Sequence, residues 1–239
     1  MQKKPVIGVT PDIEFHPEGR PPRDFYSLDA RNFVALRELG ACPIILPHEY
    51  DNIDRYLDMI DGVMISGGSY QFKDAHKLFN DSKLGAEEIA KYERTRFEWR
   101  LIERALERNM AVFGVCGGFQ TINAVLGGEL IVSLKDVKPE WEKHRAPPYD
   151  VASHDVLIKP DTNLRKIVET ERISVNSLHK QGVVKVGPGV VPSGVSDDGV
   201  VEVIEFPASK FCMGIQWHLE FLISDADRRI FQAFVDSSR

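Results

Sequence analysis

Cysteine is scarce, no long apolar run is present and positive charge is not in surplus, and each shortage excludes something. Cys42, Cys116 and Cys212 are widely spaced and form no C-x-x-C pair, which fits neither a disulfide framework nor a cysteine zinc site. No stretch approaches the ~18 apolar residues of a membrane-crossing helix. The basic residues 1–5 lead only into Val6-Ile7-Gly8-Val9, shorter than the ~7–15-residue apolar core of a secretory signal. A cytoplasmic protein with no membrane partner is therefore expected. Lys and Arg number 30 against 36 Asp and Glu, a net charge of −6, which leaves no electrostatic footprint for nucleic acid. The seven histidines contain no H-x-x-x-H pair, so their spacing predicts no metal, and no other cofactor is expected.

What is there has the proportions of an ordinary globular chain, 43% hydrophobic and 28% charged over 239 residues, enough for one sizeable α/β domain. Short apolar runs at 6–9, 42–46, 62–65, 110–115 and 213–216 read as buried strands. Between them, helical spacing covers 28–39 with Gly40 as its stop, then 53–59, 86–108 and 119–126, and a closing helix spans 224–237. This alternation predicts a mostly parallel sheet with helices on both faces. From 154 to 205 the segments shorten and become rich in Val and Ile, with turn signals at Pro160-Asp161, Pro188-Gly189 and Asp197-Asp198-Gly199. They predict antiparallel hairpins appended to the sheet. Without repeats or a linker, residues 1–239 read as a single domain. The charged run 87–108 reads as a solvated helix face with i,i+4 pairs, and the polar segments 71–83 and 138–150 as lids or plain surface.

Two places carry chemistry. In Phe113-Gly114-Val115-Cys116-Gly117-Gly118-Phe119-Gln120 a cysteine stands where a buried strand meets a helix. Small neighbours let the chain bend sharply there and present the side chain, as at the nucleophile elbow of α/β hydrolases. The helix N-terminus favours a thiolate and offers N–H groups to a developing oxyanion. In Gly214-Ile215-Gln216-Trp217-His218-Leu219-Glu220, a histidine and a carboxylate two residues apart leave an extended segment on the same face. That is the base and orienter a cysteine nucleophile requires.

These motifs, together with Val175-Asn176-Ser177-Leu178-His179-Lys180-Gln181, resemble the signatures of class I glutamine amidotransferase-like proteins. More narrowly, they are similar to the γ-glutamyl-γ-aminobutyrate hydrolase (peptidase C26) branch. Ile7-Gly8-Val9-Thr10, Ser66-Gly67-Gly68, Arg96-Phe97-Glu98 and Asp198-Gly199-Val200-Val201-Glu202 extend the resemblance over most of the chain. It implies a flavodoxin-like α/β fold with an appended antiparallel segment. It further implies that Cys116 attacks a γ-glutamyl amide to form a thioester, that His218 acts as base and then acid, and that Glu220 orients it. The backbone N–H groups of Gly68 and Gly117 would hold the oxyanion, while Gln120, Asn176, Ser177 and His179 would bind the glutamyl group. The chain departs from the family at Gly117, where Arg is usual, at Ser69-Tyr70-Gln71, where an Asp commonly follows the paired glycines, and at Leu219, where Pro is usual. None of these removes a group that acyl transfer needs, but the first two leave substrate identity open.

The expected partner is a small γ-glutamyl molecule, as in polyamine breakdown. A glutaminase subunit feeding ammonia to a separate synthetase would use the same triad, and a catalytically silent binding protein is the third alternative. Oligomeric state is left open, self-association included.

Overall fold

The computed structural model describes residues 3–16, 23–68, 86–145 and 147–239. The parallel half of the sheet is built from β1 (Val6–Thr10), β4 (Cys42–Ile45), β5 (Gly62–Ile65), β6 (Ala111–Val115) and β13 (Cys212–Ile215), in the spatial order β4-β1-β5-β6-β13. Setting aside the hairpin inserted after β1, this is the 2-1-3-4-5 order of doubly wound flavodoxin-like sheets, in which ligands meet the carboxyl ends of the strands.

Both faces of the inner strands β1, β5, β6 and β13 are covered, while the edge strand β4 is partly exposed. Met64, Ala111, Phe113 and Val115 turn to one apolar cluster with α1 (Ala30–Glu38) and α7 (Asp225–Ser237), whereas Val63, Ile65 and Val112 turn to the other. There they meet α2 (Ile53–Met59), α3 (Ala86–Glu107) and α4 (Gly117–Val125). The period of two is that of a strand, but with a helix layer on each side every position is apolar, so the strands read as unbroken runs. Asp29 caps α1, and Gly40 at φ +88° follows its end. A Ser224–Asp227 capping box opens α7, a cap of the kind worth about 1 kcal/mol.

Beyond β13 the sheet turns antiparallel through β12 (Val201–Glu205), β11 (Val191–Ser196), β8 (His154–Ile158) and β9 (Arg172–Val175). β10 (Gly182–Lys185) pairs with both β12 and β7 (Glu129–Ile131), giving a sheet of eleven strands among the described residues. The appended antiparallel segment expected from 154–205 is therefore present.

Several elements escape the sequence reading. β2 (Asp12–His16) and β3 (Arg23–Ser27) form a separate hairpin, α5 (Leu134–Val137) lies where no element is expected, α6 (Asn163–Val168) is a helix within the stretch expected to form hairpins, and Pro139–Arg145 is a 3-10 segment within 138–150. The segment 138–150 is not bare surface: Trp141 Nε1 donates to the Asp198 carbonyl and His144 is fully buried. The companion segment 71–83 lies outside the described residues. The charged helix run needs a correction too. Arg100, Glu103, Arg104 and Glu107 do face outward, but Arg94 and Glu98 are fully buried, on the same stripe as Phe97, Leu101 and Ala105.

Candidate active site

The site gathers at the carboxyl ends of β5, β6 and β13. Cys116 follows β6 directly and caps α4 with φ +50° and ψ −102°. A positive φ is strained for a residue with a Cβ. Neighbouring glycines make the bend feasible: a Cβ on Gly118 would fall 2.1 Å from the Ile65 carbonyl oxygen, and one on Gly114 would fall 2.5 Å from the Gly118 backbone. The Cys116 N–H donates to the Ile215 carbonyl at 2.7 Å, fastening the elbow to the strand that leads to His218.

His218 follows β13, and its Nδ1 lies 2.7 Å from Glu220 Oε1. The two do not share a face of an extended segment, as the spacing predicts. Leu219–Phe221 forms a 3-10 turn, and the turn carries the carboxylate back to the ring. Trp217, fully buried, donates its Nε1–H to Asp227 at 2.9 Å and so holds the base of this turn. Burial disfavours the His218 imidazolium, but the Cys116 sulfur and the Glu220 carboxylate, one on each side, outweigh it and raise the pKa well above 6.5. Nε2 is buried and makes no hydrogen bond among the described residues. Cysteine, imidazole and carboxylate thus form a chain of three in which the outer two favour the protonated ring.

A third strand end supplies the roof. A Cβ on Gly67 would stand 3.4 Å from His218 Cε1 and 3.6 Å from Cys116 Cβ, so the 66–68 loop passes directly beside the sulfur and the ring. The loop is held from behind by Arg94, whose Nη2 donates to the carbonyls of Ser66 and Gly67, both at 3.1 Å. Arg94 also binds Glu98 through Nε at 2.9 Å and Asp12 through Nη1. Thr10 Oγ1 donates to Glu98 at 2.7 Å and completes the network. Gly68 has no room for a side chain, since its Cβ would overlap the Arg94 guanidinium at 2.0 Å. Arg94 is the residue that sequence reasoning missed. Its signal was legible: a charged residue on the apolar stripe of a helix needs a partner inside.

The four residues expected to bind the glutamyl group are near the site but engaged with the protein itself. Gln120 Nε2 donates to Gln216 Oε1 at 3.0 Å. Asn176 clamps His218, its Nδ2 donating to the His218 carbonyl and its Oδ1 accepting the His218 N–H, each at 2.9 Å. Ser177 Oγ donates to the His144 carbonyl at 2.7 Å, and His179 Nδ1 lies 2.8 Å from the Gln181 carbonyl oxygen. All four are buried, so in this structure their side chains frame the site from behind.

A flavodoxin-like sheet with a cysteine elbow and a His–Glu pair at its carboxyl edge defines the class I glutamine amidotransferase-like fold. The same fold is seen in a Thermoplasma acidophilum protein described as belonging to a GMP synthase, at TM-score 0.68 and 17% identity, covering 100% of this chain and 96% of that one. The Peptidase C26 family profile matches residues 5–220, and the chain belongs to this family. A glutamine amidotransferase-like protein of Rickettsia prowazekii is 32% identical, with 100% of this chain and 99% of the relative aligned. The γ-glutamyl-γ-aminobutyrate hydrolase PuuD of Escherichia coli K12 is 29% identical, over 87% of this chain and 85% of the relative. Family and relatives make this a hydrolase of amide bonds. Among the described residues no helix is long and apolar enough to cross a membrane.

Proposed function

We propose that the chain hydrolyses the γ-glutamyl amide bond of a small molecule through a thioester on Cys116. The observation that carries this reading is the cysteine held at positive φ beside a His–Glu pair, within a Peptidase C26 chain. The Cys116 thiolate attacks the amide carbon, and the carbonyl oxygen gathers negative charge under the backbone N–H groups of Gly117 and Gly68. The C–N bond breaks as the His218 imidazolium gives its proton to the departing amine. Water then attacks the thioester, His218 takes the water's proton, and glutamate leaves with the thiolate restored. Glu220 keeps the ring in orientation throughout. Gln120, Asn176, Ser177 and His179 frame the glutamyl pocket, Asn176 by fixing the His218 backbone.

The test is a panel of γ-glutamyl amides, γ-glutamyl-γ-aminobutyrate and glutamine included, assayed for glutamate release with the wild type and Cys116→Ala. Release from at least one amide by the wild type alone, abolished in the variant, is expected. Unchanged turnover in Cys116→Ala would overturn the assignment. The names of the amidotransferase-like relatives favour a second reading, a glutaminase serving a synthetase. Glutamine would then be the preferred amide, and turnover would rise sharply when the synthetase is added.

A further inference from the structure

Glu202 on β12 is fully buried, and three imidazoles close on one of its oxygens. Oε1 lies 3.2 Å from His144 Nδ1, 3.4 Å from His154 Nε2 and 3.4 Å from His179 Nε2. None of these contacts has hydrogen-bond geometry. Both Glu202 oxygens, both His154 nitrogens, His144 Nδ1 and His179 Nε2 are buried without a hydrogen-bond partner among the described residues. Orphaned groups on this scale, in one place, call for an explanation.

The outer nitrogens sharpen the question. His179 Nδ1 sits 2.8 Å from the Gln181 carbonyl, which can only accept, so Nδ1 carries the proton. In the neutral ring Nε2 is then a lone pair, and it faces a carboxylate oxygen, acceptor against acceptor. His144 Nε2 lies 3.1 Å from Asp198 Oδ2, which leaves Nδ1 as the nitrogen turned toward Glu202. Imidazoles whose outer N–H is tied to a carboxylate or carbonyl while the inner nitrogen points at a common centre are the usual arrangement of metal ligands.

The distances agree with that reading. Donors around a tetrahedral ion at bonds of about 2.0–2.1 Å stand about 3.3–3.4 Å apart, close to the three contacts to Oε1. His144, His154 and Glu202 each offer a donor atom within 4.8 Å of the others, whereas His179 touches Oε1 but lies outside that mutual set. We propose that His144, His154 and Glu202 form a buried site for a divalent ion of the zinc type. Two imidazole nitrogens and one carboxylate suit zinc and its first-row neighbours and do not suit calcium or magnesium, which take oxygen. The Glu202 and Asp198 carboxylates would balance the charge of a dication. Three protein ligands leave a fourth position for water, and the burial of all three makes the ion a structural one.

The position gives it consequences. Its ligands come from the 139–145 segment, the start of β8 and β12, and the His179 contact with Oε1 brings in the loop after β9. That loop supplies Asn176, which clamps His218, while the Glu202 carbonyl accepts the Gln216 N–H at 2.8 Å. The ion would staple these segments together behind the base.

The experiment uses the full chain carrying Cys116→Ser, so that the triad cannot itself take the metal, stripped with chelator and titrated with Co2+. The expected result is saturation near one equivalent with the visible bands of tetrahedral Co2+. Zn2+ should displace them, and it should raise the thermal midpoint by several degrees. His154→Ala, whose ring makes no hydrogen bond to lose, and Glu202→Gln should abolish the bands, while His16→Ala should retain them. If Glu202→Gln fails to fold, His154→Ala decides alone. Absence of bands and of any Zn2+-induced shift would overturn the proposal and leave the cluster as a carboxylate held by protonated imidazoles. Bands that survive in His154→Ala would overturn it as well. None of these readouts depends on catalytic turnover.

Discussion

Glu220 reaches His218 from within a 3-10 turn, placing a carboxylate oxygen 2.7 Å from Nδ1 while the opposite side of the ring answers to Cys116. The ring therefore sits in a buried setting with Cys116 and Glu220 both favouring its protonated form. The pH behaviour of the site follows from that sandwich.

Because Cys116 and Glu220 raise the His218 pKa, the proton that the leaving amine needs stays on the ring to well above pH 6.5. The alkaline limb of kcat/KM should therefore fall well above that value. Glu220→Gln removes one anion, lowers the His218 pKa and moves the limb to lower pH. A pH–rate profile of both proteins checks this, and an unmoved limb would show that Glu220 does not act on the ring.

The three cysteines should separate by reactivity. Burial pushes the Cys212 thiol up to about 12, so it remains protonated and shielded. Cys42 is exposed but is the first residue of β4, at the amino end of the parallel strands and away from His218 at their carboxyl end. Iodoacetamide at mildly acidic pH should modify Cys116 first, and His218→Ala should slow that reaction by about tenfold or more. Peptide mass mapping against time gives the three rates.

Arg94 holds the carbonyls of Ser66 and Gly67 with one nitrogen while Nε and Nη1 take Glu98 and Asp12. Lysine keeps the charge but lacks the fork. In Arg94→Lys the 66–68 loop should lose its register over the sulfur. The expected outcome is a fall in kcat on the order of 10–100-fold with KM less affected. A change confined to KM would place the loop in binding only.

Asp227 bears on stability. Burial raises its carboxyl to about 6 despite hydrogen bonds from Trp217 and Ser224. The folded state therefore binds a proton that the unfolded chain has released. This contribution is complete below the unfolded pKa of about 4 and is lost as pH rises through about 6, on the order of 3 kcal/mol over the window. Asp227→Asn should flatten that part of the profile, apart from a constant offset of about 1 kcal/mol from the weakened cap. Urea unfolding at pH 4, 5, 6 and 7 measures the difference.

What could be read from the sequence was local. Cys116 announces itself because a strand, a bend and a helix start lie within a few residues of it, and His218 with Glu220 because the turn joining them is short. The parallel strands are legible because burial on both faces leaves unbroken apolar runs. The β2–β3 hairpin is not, since a small exposed ribbon carries as many charges as a loop: Asp12, Glu14, His16, Arg23 and Asp24 all lie in it. Arg94 and Glu98 show the same limit from the other side. Their i,i+4 spacing matches that of any solvated ion pair, and only the apolar residues sharing their stripe mark them as internal. Glu202 and His179 lie in motifs that carry the family resemblance, but nothing in the sequence marks them as one cluster. Its histidines come from separate segments, and their convergence is a product of the antiparallel extension.

The pairing of β6 with β13 has a consequence for how such a chain can change. Ile215 lies opposite Val115, so backbone hydrogen bonds between neighbouring strands set the distance from sulfur to imidazole. Apart from the elbow at 116–120 and the 176–179 loop, the chain between those strands is an excursion that departs from one edge of the pairing and returns to the next. Loops within it can lengthen or shorten without altering the spacing of the reacting groups. A slip of one residue between β6 and β13 would displace them by ~3.3 Å and turn every side chain to the wrong layer. Tolerance to insertion and intolerance to misregistry thus arise from the same ladder.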